Sequence, residues 1–322
     1  NLNNHFGVPM TLFSLQPEHQ VLIVEMGASG PDEIGYLCSI ARPEITAVNN
    51  VMPAHVEGFG SVDGIATAKG QIYTSLAPGG MAIINADDNY ADYWRGEIPE
   101  GVRTLEVGYG HQCAVHPDNI VLDSAGRAAF DLVIEGVSHP VSLQVLGEHN
   151  VHNALVAAGC AYAAGIPVVE IASGLSSLAG VGGRMQSTQG RSGAIVIDDS
   201  YNANPGSVSA AIELLAQRSG KTILVLGDMA ELGPDAEQAH REMGHLARER
   251  GIDQLFTLGT LSAAAGTAFA QGRQHRQRNF SERESLIKAL APELDENTTV
   301  LVKGSRSARM ELVAQALTDG NQ

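Results

Sequence analysis

Short apolar runs, each ending in polar or charged residues and separated by helical stretches, set the tightest limit on how this 322-residue chain can fold. In the second half they are GAIVIDDS from Gly193, TILVLGD from Thr222, QLFTLG from Gln254 and TTVLVKGS from Thr298. Runs of Val, Ile and Leu without polar alternation read as parallel strands buried on both faces. Helical stretches fall at about Ser207 to Gln217, Asp235 to Arg248, Leu261 to Ala270, Ser285 to Leu290 and Arg306 to Leu317, so a Rossmann-like unit is expected here. The first half repeats the scheme with QVLIVEMG (Gln20 to Gly27), a helix near Asp32 to Ala41, ITAVNN (Ile45 to Asn50), a helix carrying Lys69, and MAIIN (Met81 to Asn85). From about Val102 to Val145 the runs become β-rich and turn-separated, which reads as an antiparallel extension of the same sheet. An Ala-rich helix near Asn150 and a second ending near Ala179 follow. The glycine-rich GVGGRMQ segment, Gly180 to Gln186, makes the best boundary and gives domains 1–185 and 186–322 in an α/β chain.

In open parallel sheets ligands sit beyond the carboxyl ends of the strands. The residues there are Glu25, Asn49, Asn50, Asp198, Asp199, Gly227, Asp228, Lys303 and Gly304. Lys69 stands out for a different reason. If Ser61 caps its helix, Val62, Ile65, Ala66, Ile72, Tyr73 and Leu76 form one face and Lys69 falls in the middle of it. Burial disfavours an ammonium, so the position calls for a snorkelling side chain, an anionic partner or a chemically altered lysine.

Charge narrows the partners. With 20 Lys plus Arg against 36 Asp plus Glu the formal net charge is −16, which argues against nucleic acid and against an anionic membrane surface. Cys38, Cys113 and Cys160 show no CxxC spacing and build no disulfide framework, which fits a reducing, cytoplasmic setting. The first apolar run, Val21 to Val24, stops at Glu25 and is too short for a signal peptide. Ala154 to Ala172, interrupted by Gly165 and Pro167, reads as a buried helix and turn, not a membrane span. The chain opens at Asn1 without a methionine, so a preceding portion is expected.

Among the local motifs, IDDSYNANPGS (Ile197 to Ser207) is denser in hydrogen-bonding side chains than a strand-to-helix turn requires, and reads as a ligand-binding loop. In GEHNVHNA, Asn150 can cap a helix, whereas capping does not account for Asn153. Gly220-Lys221-Thr222 is no phosphate loop, because it precedes a strand and Leu215 occupies the place of the required glycine. His240 and His245, five apart on a charged helix, have the wrong spacing for a zinc pair and read as solvated. NADDN (Asn85 to Asn89) reads as a turn. KGSRS (Lys303 to Ser307) offers Lys303, Arg306 and helix N-terminal amides to an anion.

The segments NLNNHFGVP, VEMGAS, NNVMPAHVEGFGS, AKGQI, GEHNVHNA, GGRM, DDSYNANPGS, GDMAELG and VKGSRS, in this order, make the chain resemble the Mur ligases, ATP-dependent amide-forming enzymes of peptidoglycan synthesis. Within the family it is most similar to the members that add the dipeptide D-alanyl-D-alanine to a UDP-N-acetylmuramoyl-tripeptide. The resemblance covers essentially the whole chain and implies a central ATPase-type domain with a mostly parallel sheet plus a C-terminal Rossmann-like domain. It further implies that Lys69 carries a CO2-derived carbamate, and that Glu25, His55 and Lys69 hold Mg²⁺, one ion or two. Asn150, Asn153, Arg184, Asp199, Tyr201 and Asn202 match nucleotide-side positions. Asn3, Asn4, Asn204, Asp228, Lys303, Ser305 and Arg306 match positions facing the UDP-linked substrate or the incoming dipeptide.

The reaction implied is attack of the substrate carboxylate on the γ-phosphate of ATP, then displacement of phosphate from the acyl phosphate by the dipeptide amine. A monomer is expected. The family's glycine-rich phosphate loop and N-terminal domain have no counterpart between Asn1 and Gln322, so the expectation is a segment that does not turn over ATP by itself. The alternative reading is a non-catalytic nucleotide- or partner-binding module derived from a Mur ligase.

Overall fold

The computed structural model describes residues 2–52, 56–271 and 276–318. The chain divides into two compact units, residues 1–121, 129–142 and 150–177 forming the first and 122–128, 143–149 and 178–322 the second. Helices α1 (Gly7–Phe13) and α2 (Glu33–Ala41) precede strand β1 (Ile45–Ala47), followed by α3 (Val56–Phe59), α4 (Val62–Thr74), β2 (Met81–Asn85), α5 (Ala91–Gly96) and β3 (Arg103–Val107). Then come β4 (Val115–Leu122), β5 (Arg127–Ile134), β6 (Val137–Leu146), α6 (His149–Ala163) and α7 (Val168–Ser177).

The first sheet runs in the order β1-β2-β3-β4-β5-β6. Its first three strands are parallel, with Ala47 beside Ile83 and Ile83 beside Leu105 in register. The turn between β5 and β6 is the two residues Glu135 and Gly136, both at positive φ, which is the geometry of a tight hairpin and makes these two strands antiparallel. Trp94, Tyr73, Ile84 and Val48 pack into a core under the parallel part. Helix α4 reaches Trp94 closely: the indole Nε1 donates to Ala66 O at 3.1 Å, and a Cβ on Gly70 would meet the ring at 3.0 Å. A glycine after Lys69 therefore lets the helix settle on the tryptophan.

The expected strand Gln20 to Gly27 is not formed. The segment pairs with no strand among the described residues, and Val21 and Ile23 are exposed. A parallel strand needs a hydrogen-bonded neighbour and cover on its faces, and here it has neither.

The second unit continues with β7 (Gln186–Gln189), β8 (Ile195–Asp199), α8 (Pro205–Ala216), β9 (Lys221–Gly227), α9 (Ala236–Glu249), β10 (Gln254–Leu258), α10 (Ser262–Ala270), β11 (Gln277–Phe280), α11 (Arg283–Leu290), β12 (Thr298–Lys303) and α12 (Glu311–Thr318). Its sheet order is β11-β10-β9-β12-β8-β7, parallel except for β7. Strand β12, in the middle, is buried at every residue. Leu224, Leu226 and Leu301 face one apolar core with α8 and α9, while Val225, Val300 and Val302 face the other with α11 and α12. This is the doubly covered sheet that the unalternated runs predict.

One helix position departs from expectation. His240 on α9 is fully buried, accepting Met229 N–H at Nε2 (2.9 Å) and donating from Nδ1 to Ala236 O (2.6 Å). It lies on the buried stripe with Met243, Gly244 and Ala247, so it is a packed imidazole and not a solvated one.

Candidate functional site

In the first unit the polar groups gather at the carboxyl ends of β1 and β2. Ser61 caps α4 by accepting Gly64 N–H at 3.0 Å, and this start places Lys69 two turns along the helix. Lys69 is half-buried and donates to Asn50 O at 2.7 Å. Asp88 accepts Val51 N–H at 2.8 Å, and Asn85 donates to Asn49 O at 2.7 Å. Three side chains thus hold the three-residue segment that leaves β1. Burial pushes the Lys69 ammonium below its ordinary range, with the nearby Asp88 carboxylate opposing. Asp88 was not singled out from the sequence; its run, NADDN, reads as a turn, and only the sheet brings it to Lys69.

His55 lies outside the described residues. Glu25 is exposed and accepts Asn3 Nδ2–H at 2.9 Å, while Gly27 N–H donates to Asn3 O at 2.8 Å. Asn3 therefore clasps the segment carrying Glu25, and a Cβ on Gly27 would collide with it at 2.8 Å. Asn4 serves α1 instead, accepting the N–H groups of Phe6 and Gly7 at 3.1 and 2.9 Å.

At the start of α6 the amides form a chain: Asn49 donates to Asn153 (2.8 Å) and Asn153 donates to Asn150 (2.8 Å). Tyr109 stacks against His152, their ring centroids 6.1 Å apart, and its N–H donates to Asp87 at 2.8 Å. Asn49, Asn153 and Asn150 are joined to the same strand ends as Lys69, and an amide chain of this kind can present donors and acceptors to the edge of a planar base.

The second unit has its own cluster. Lys303 and Asp199 are 3% and 8% exposed and face each other with Nζ 2.5 Å from Oδ2. Lys303 also donates to Asn202 O at 3.0 Å, and Asp199 Oδ1 accepts Met185 N–H at 3.2 Å. Burial raises the Asp199 carboxyl above its ordinary range, and Lys303 offsets part of that rise. Arg184 lies over the Tyr201 ring, its guanidinium carbon 4.3 Å from the centroid. Gly183, at φ +74°, lets the chain pass against Tyr201, whose N–H donates to Gly183 O at 2.9 Å. Tyr201 and Arg306 line a cleft of about 290 Å³ with Gly182, Gly183, Asp198 and Glu311.

Asn204 caps α8 reciprocally with Ser207, accepting Ser207 N–H at 2.8 Å and donating its own N–H to the hydroxyl at 3.1 Å. Asp228 joins two strand ends: it accepts Ser262 N–H at 2.7 Å on its carboxylate and Ser305 N–H at 2.9 Å on its carbonyl. Ser305 is buried, and its hydroxyl is 3.1 Å from that of Ser307.

Residues 1–161 match the Mur ligase middle domain and residues 183–306 the Mur ligase glutamate ligase domain. A UDP-N-acetylmuramoyl-tripeptide--D-alanyl-D-alanine ligase of Escherichia coli is 41% identical, covering 99% of this chain and 70% of the relative; its Haemophilus influenzae counterpart is 36% identical over 99% and 69%. A crystal structure of MurF from Acinetobacter baumannii superposes with a TM-score of 0.89 at 33% identity, covering 98% of this chain and 69% of the other. MurF of Thermotoga maritima in complex with ADP gives 0.85 at 25%, covering 98% and 71%. The two sheets and both polar clusters occur in a chain matched along nearly its whole length, and that chain belongs to the Mur ligase family.

Proposed function

We propose that the chain serves the ATP-dependent joining of D-alanyl-D-alanine to UDP-N-acetylmuramoyl-tripeptide in peptidoglycan precursor synthesis, in a cytoplasmic setting. The observation that carries this reading is the setting of Lys69: a half-buried amine with a depressed pKa, beside Asp88 and bonded to Asn50 O. Only a neutral amine adds CO2, losing one proton as it becomes a carbamate. Burial favours that neutral form. A carbamate at this position would retain one N–H for Asn50 O and would add a carboxylate to the surroundings of Asp88, a combination that suits a hard cation. Carbamylated Lys69 and Glu25 would offer oxygen donors of the kind Mg²⁺ takes, with His55 as the third ligand assigned by the resemblance, and the ion would supply charge neutralisation at the transferring phosphoryl group.

The remaining steps belong to the chain's own groups. A carboxylate oxygen of the tripeptide bonds to the γ-phosphorus of ATP as the bond to ADP breaks. The dipeptide amine then bonds to the acyl carbon, phosphate leaves and the nitrogen gives up a proton. Asn150 and Asn153 orient the nucleotide base, and Arg184, held flat on Tyr201, contributes positive charge for phosphate. Asp199 retains lone pairs for a ribose hydroxyl while bound to Lys303. Ser305, Arg306 and Asp228 are assigned to the dipeptide side, and Asn202 stays with Tyr201 on the nucleotide side. The direct test, on the protein with the residues that precede Asn1 included, is release of ADP and phosphate that requires both the UDP-tripeptide and D-Ala-D-Ala, and that falls at least ~100-fold in Lys69→Ala. Nucleotide binding without such turnover would return the binding-module reading.

A further inference from the structure

The turn after β3 and the start of β4 bring together three ligating side chains that the ligation reaction does not use. Cys113 N–H donates to Gly110 O at 2.9 Å, closing a turn that carries His111. On β4, His116 and Asp118 are two residues apart and share one face. The Nδ1 of His111 lies 3.3 Å from Asp118 Oδ1, the Nε2 of His116 lies 4.0 Å from it, and all three ligand atoms fall within 4.8 Å of one another. The two imidazole planes meet edge-on at 81°.

Two further details point to an ion. The Nδ1 of His116 is 2.9 Å from Cys113 O, and a carbonyl can only accept, so Nδ1 carries a hydrogen and Nε2, which faces Asp118, is the atom left to ligate. A ring nitrogen donating to a backbone carbonyl while the other is free is the arrangement that orients metal-binding histidines. Asp118 Oδ1, in turn, is a buried oxygen with no hydrogen-bond partner among the described residues. Two nitrogens and one oxygen thus lie within 4.8 Å of one another. Tetrahedral ligands bound at about 2.0–2.2 Å stand about 3.3–3.6 Å apart, which the His111–Asp118 pair already meets, while the other separations would have to shorten on binding.

The geometry points to a divalent transition-metal site at His111, His116 and Asp118, of the zinc class, with its fourth position open to water. Imidazole nitrogens favour Zn²⁺, Co²⁺, Ni²⁺ or Cu²⁺ over Mg²⁺, which separates this site from the oxygen-rich one at Lys69. The same turn begins beside Tyr109, whose N–H is bound to Asp87 and whose ring stacks on His152. A bound ion would therefore fix the segment leading from the nucleotide-side cluster.

The test is titration of the nucleotide-free protein with Co²⁺, read by visible d–d absorption, with Zn²⁺ as competitor. It is run in wild type and in a Lys69→Met background, so that uptake at the other cluster is discounted. One equivalent is expected, displaced by Zn²⁺ and not by excess Mg²⁺, in both. His111→Ala removes a side chain that is 82% exposed and leaves the fold intact, so it separates ligand loss from misfolding. It should weaken binding by at least about 10–100-fold, as should His116→Gln. No saturable Co²⁺ uptake in wild type, or uptake unchanged in both variants, overturns the site.

Discussion

Lys303 and Asp199 are register partners at the carboxyl ends of the adjacent parallel strands β12 and β8, and their charged groups meet at 2.5 Å. Partners in a parallel ladder project to the same face, so strand pairing alone brings the ammonium and the carboxylate together. With its bond to Asn202 O, Lys303 also fixes the loop from Asp199 to Asn204 before any ligand arrives. A nucleotide or dipeptide would then meet a loop whose ordering cost has already been met in folding.

Asp199→Asn should destabilise the protein by about 3–5 kcal/mol, because it leaves a buried ammonium without its counter-charge. The double variant Asp199→Asn, Lys303→Met should recover much of that loss, since a neutral apolar side chain of similar length no longer needs a partner. Urea unfolding of the two variants and wild type measures both steps. A single variant as stable as wild type would mean that water or another group already compensates Lys303.

His240 predicts a pH dependence of stability. Both of its nitrogens are bonded in the neutral form, and burial holds its pKa below 6.5. In the unfolded chain the ring takes a proton as the pH falls through about 6.5, whereas in the folded chain it resists, so the unfolded state binds more protons there. The stabilisation is complete above pH 6.5 and is lost as the pH falls toward the folded pKa, at up to about 1.4 kcal/mol per unit. The imidazoles of His149 and His152 are lowered by burial as well and act in the same direction. His240→Gln should therefore show a shallower decline than wild type between pH 7.5 and 5.5, and equal slopes would exclude His240 as a contributor.

The elements legible in the sequence were those whose burial dictated composition. Strands β8, β9 and β12 are apolar because helices cover both faces, and they lie where the runs place them. The edge strands β7, QSTQ, and β11, QRNF, leave no apolar signal in the sequence, because an edge needs no apolar run and is safer polar. His240 reads as solvated because of the charges around it, although Met243 and Ala247 at i+3 and i+7 mark the buried stripe on which it lies. Lys69 was visible as a charge on an apolar face, yet its neighbour Asp88 was not, since nothing local links a turn residue to a helix 19 positions earlier. His111, His116 and Asp118 match no familiar ligand spacing, and the turn at Gly110 to Cys113 is what joins them.

Lys69→Met distinguishes a chemical role from a packing role. If the lysine matters as a carbamate, Met at this half-buried site should keep stability at or above wild type while activity is lost, because the replacement fills the stem without burying charge. Carbamylation should also rise with pH, since the reactive neutral amine grows as the pH climbs toward the lowered Lys69 pKa. A carbon-13 carbamate resonance from labelled bicarbonate, stronger at pH 9 than at pH 7 and absent in Lys69→Met, is the expected signature. Full activity in the methionine variant would leave Lys69 as a snorkelling residue that caps Asn50.

Asn204 sits in a loop assigned to ligand binding, yet its side chain starts α8. Loss of the cap in Asn204→Ala should cost about 1 kcal/mol, within a range of roughly 0.5–2, while Asn204→Asp keeps an acceptor for Ser207 N–H and should hold wild-type stability. Kinetics on the aspartate variant then separate the two roles. If capping is the whole function, its KM for D-Ala-D-Ala stays within about threefold of wild type, a difference worth under about 1 kcal/mol. A KM raised tenfold or more at unchanged stability would mean that the amide nitrogen, which Asp lacks, donates to the dipeptide while the oxygen caps the helix.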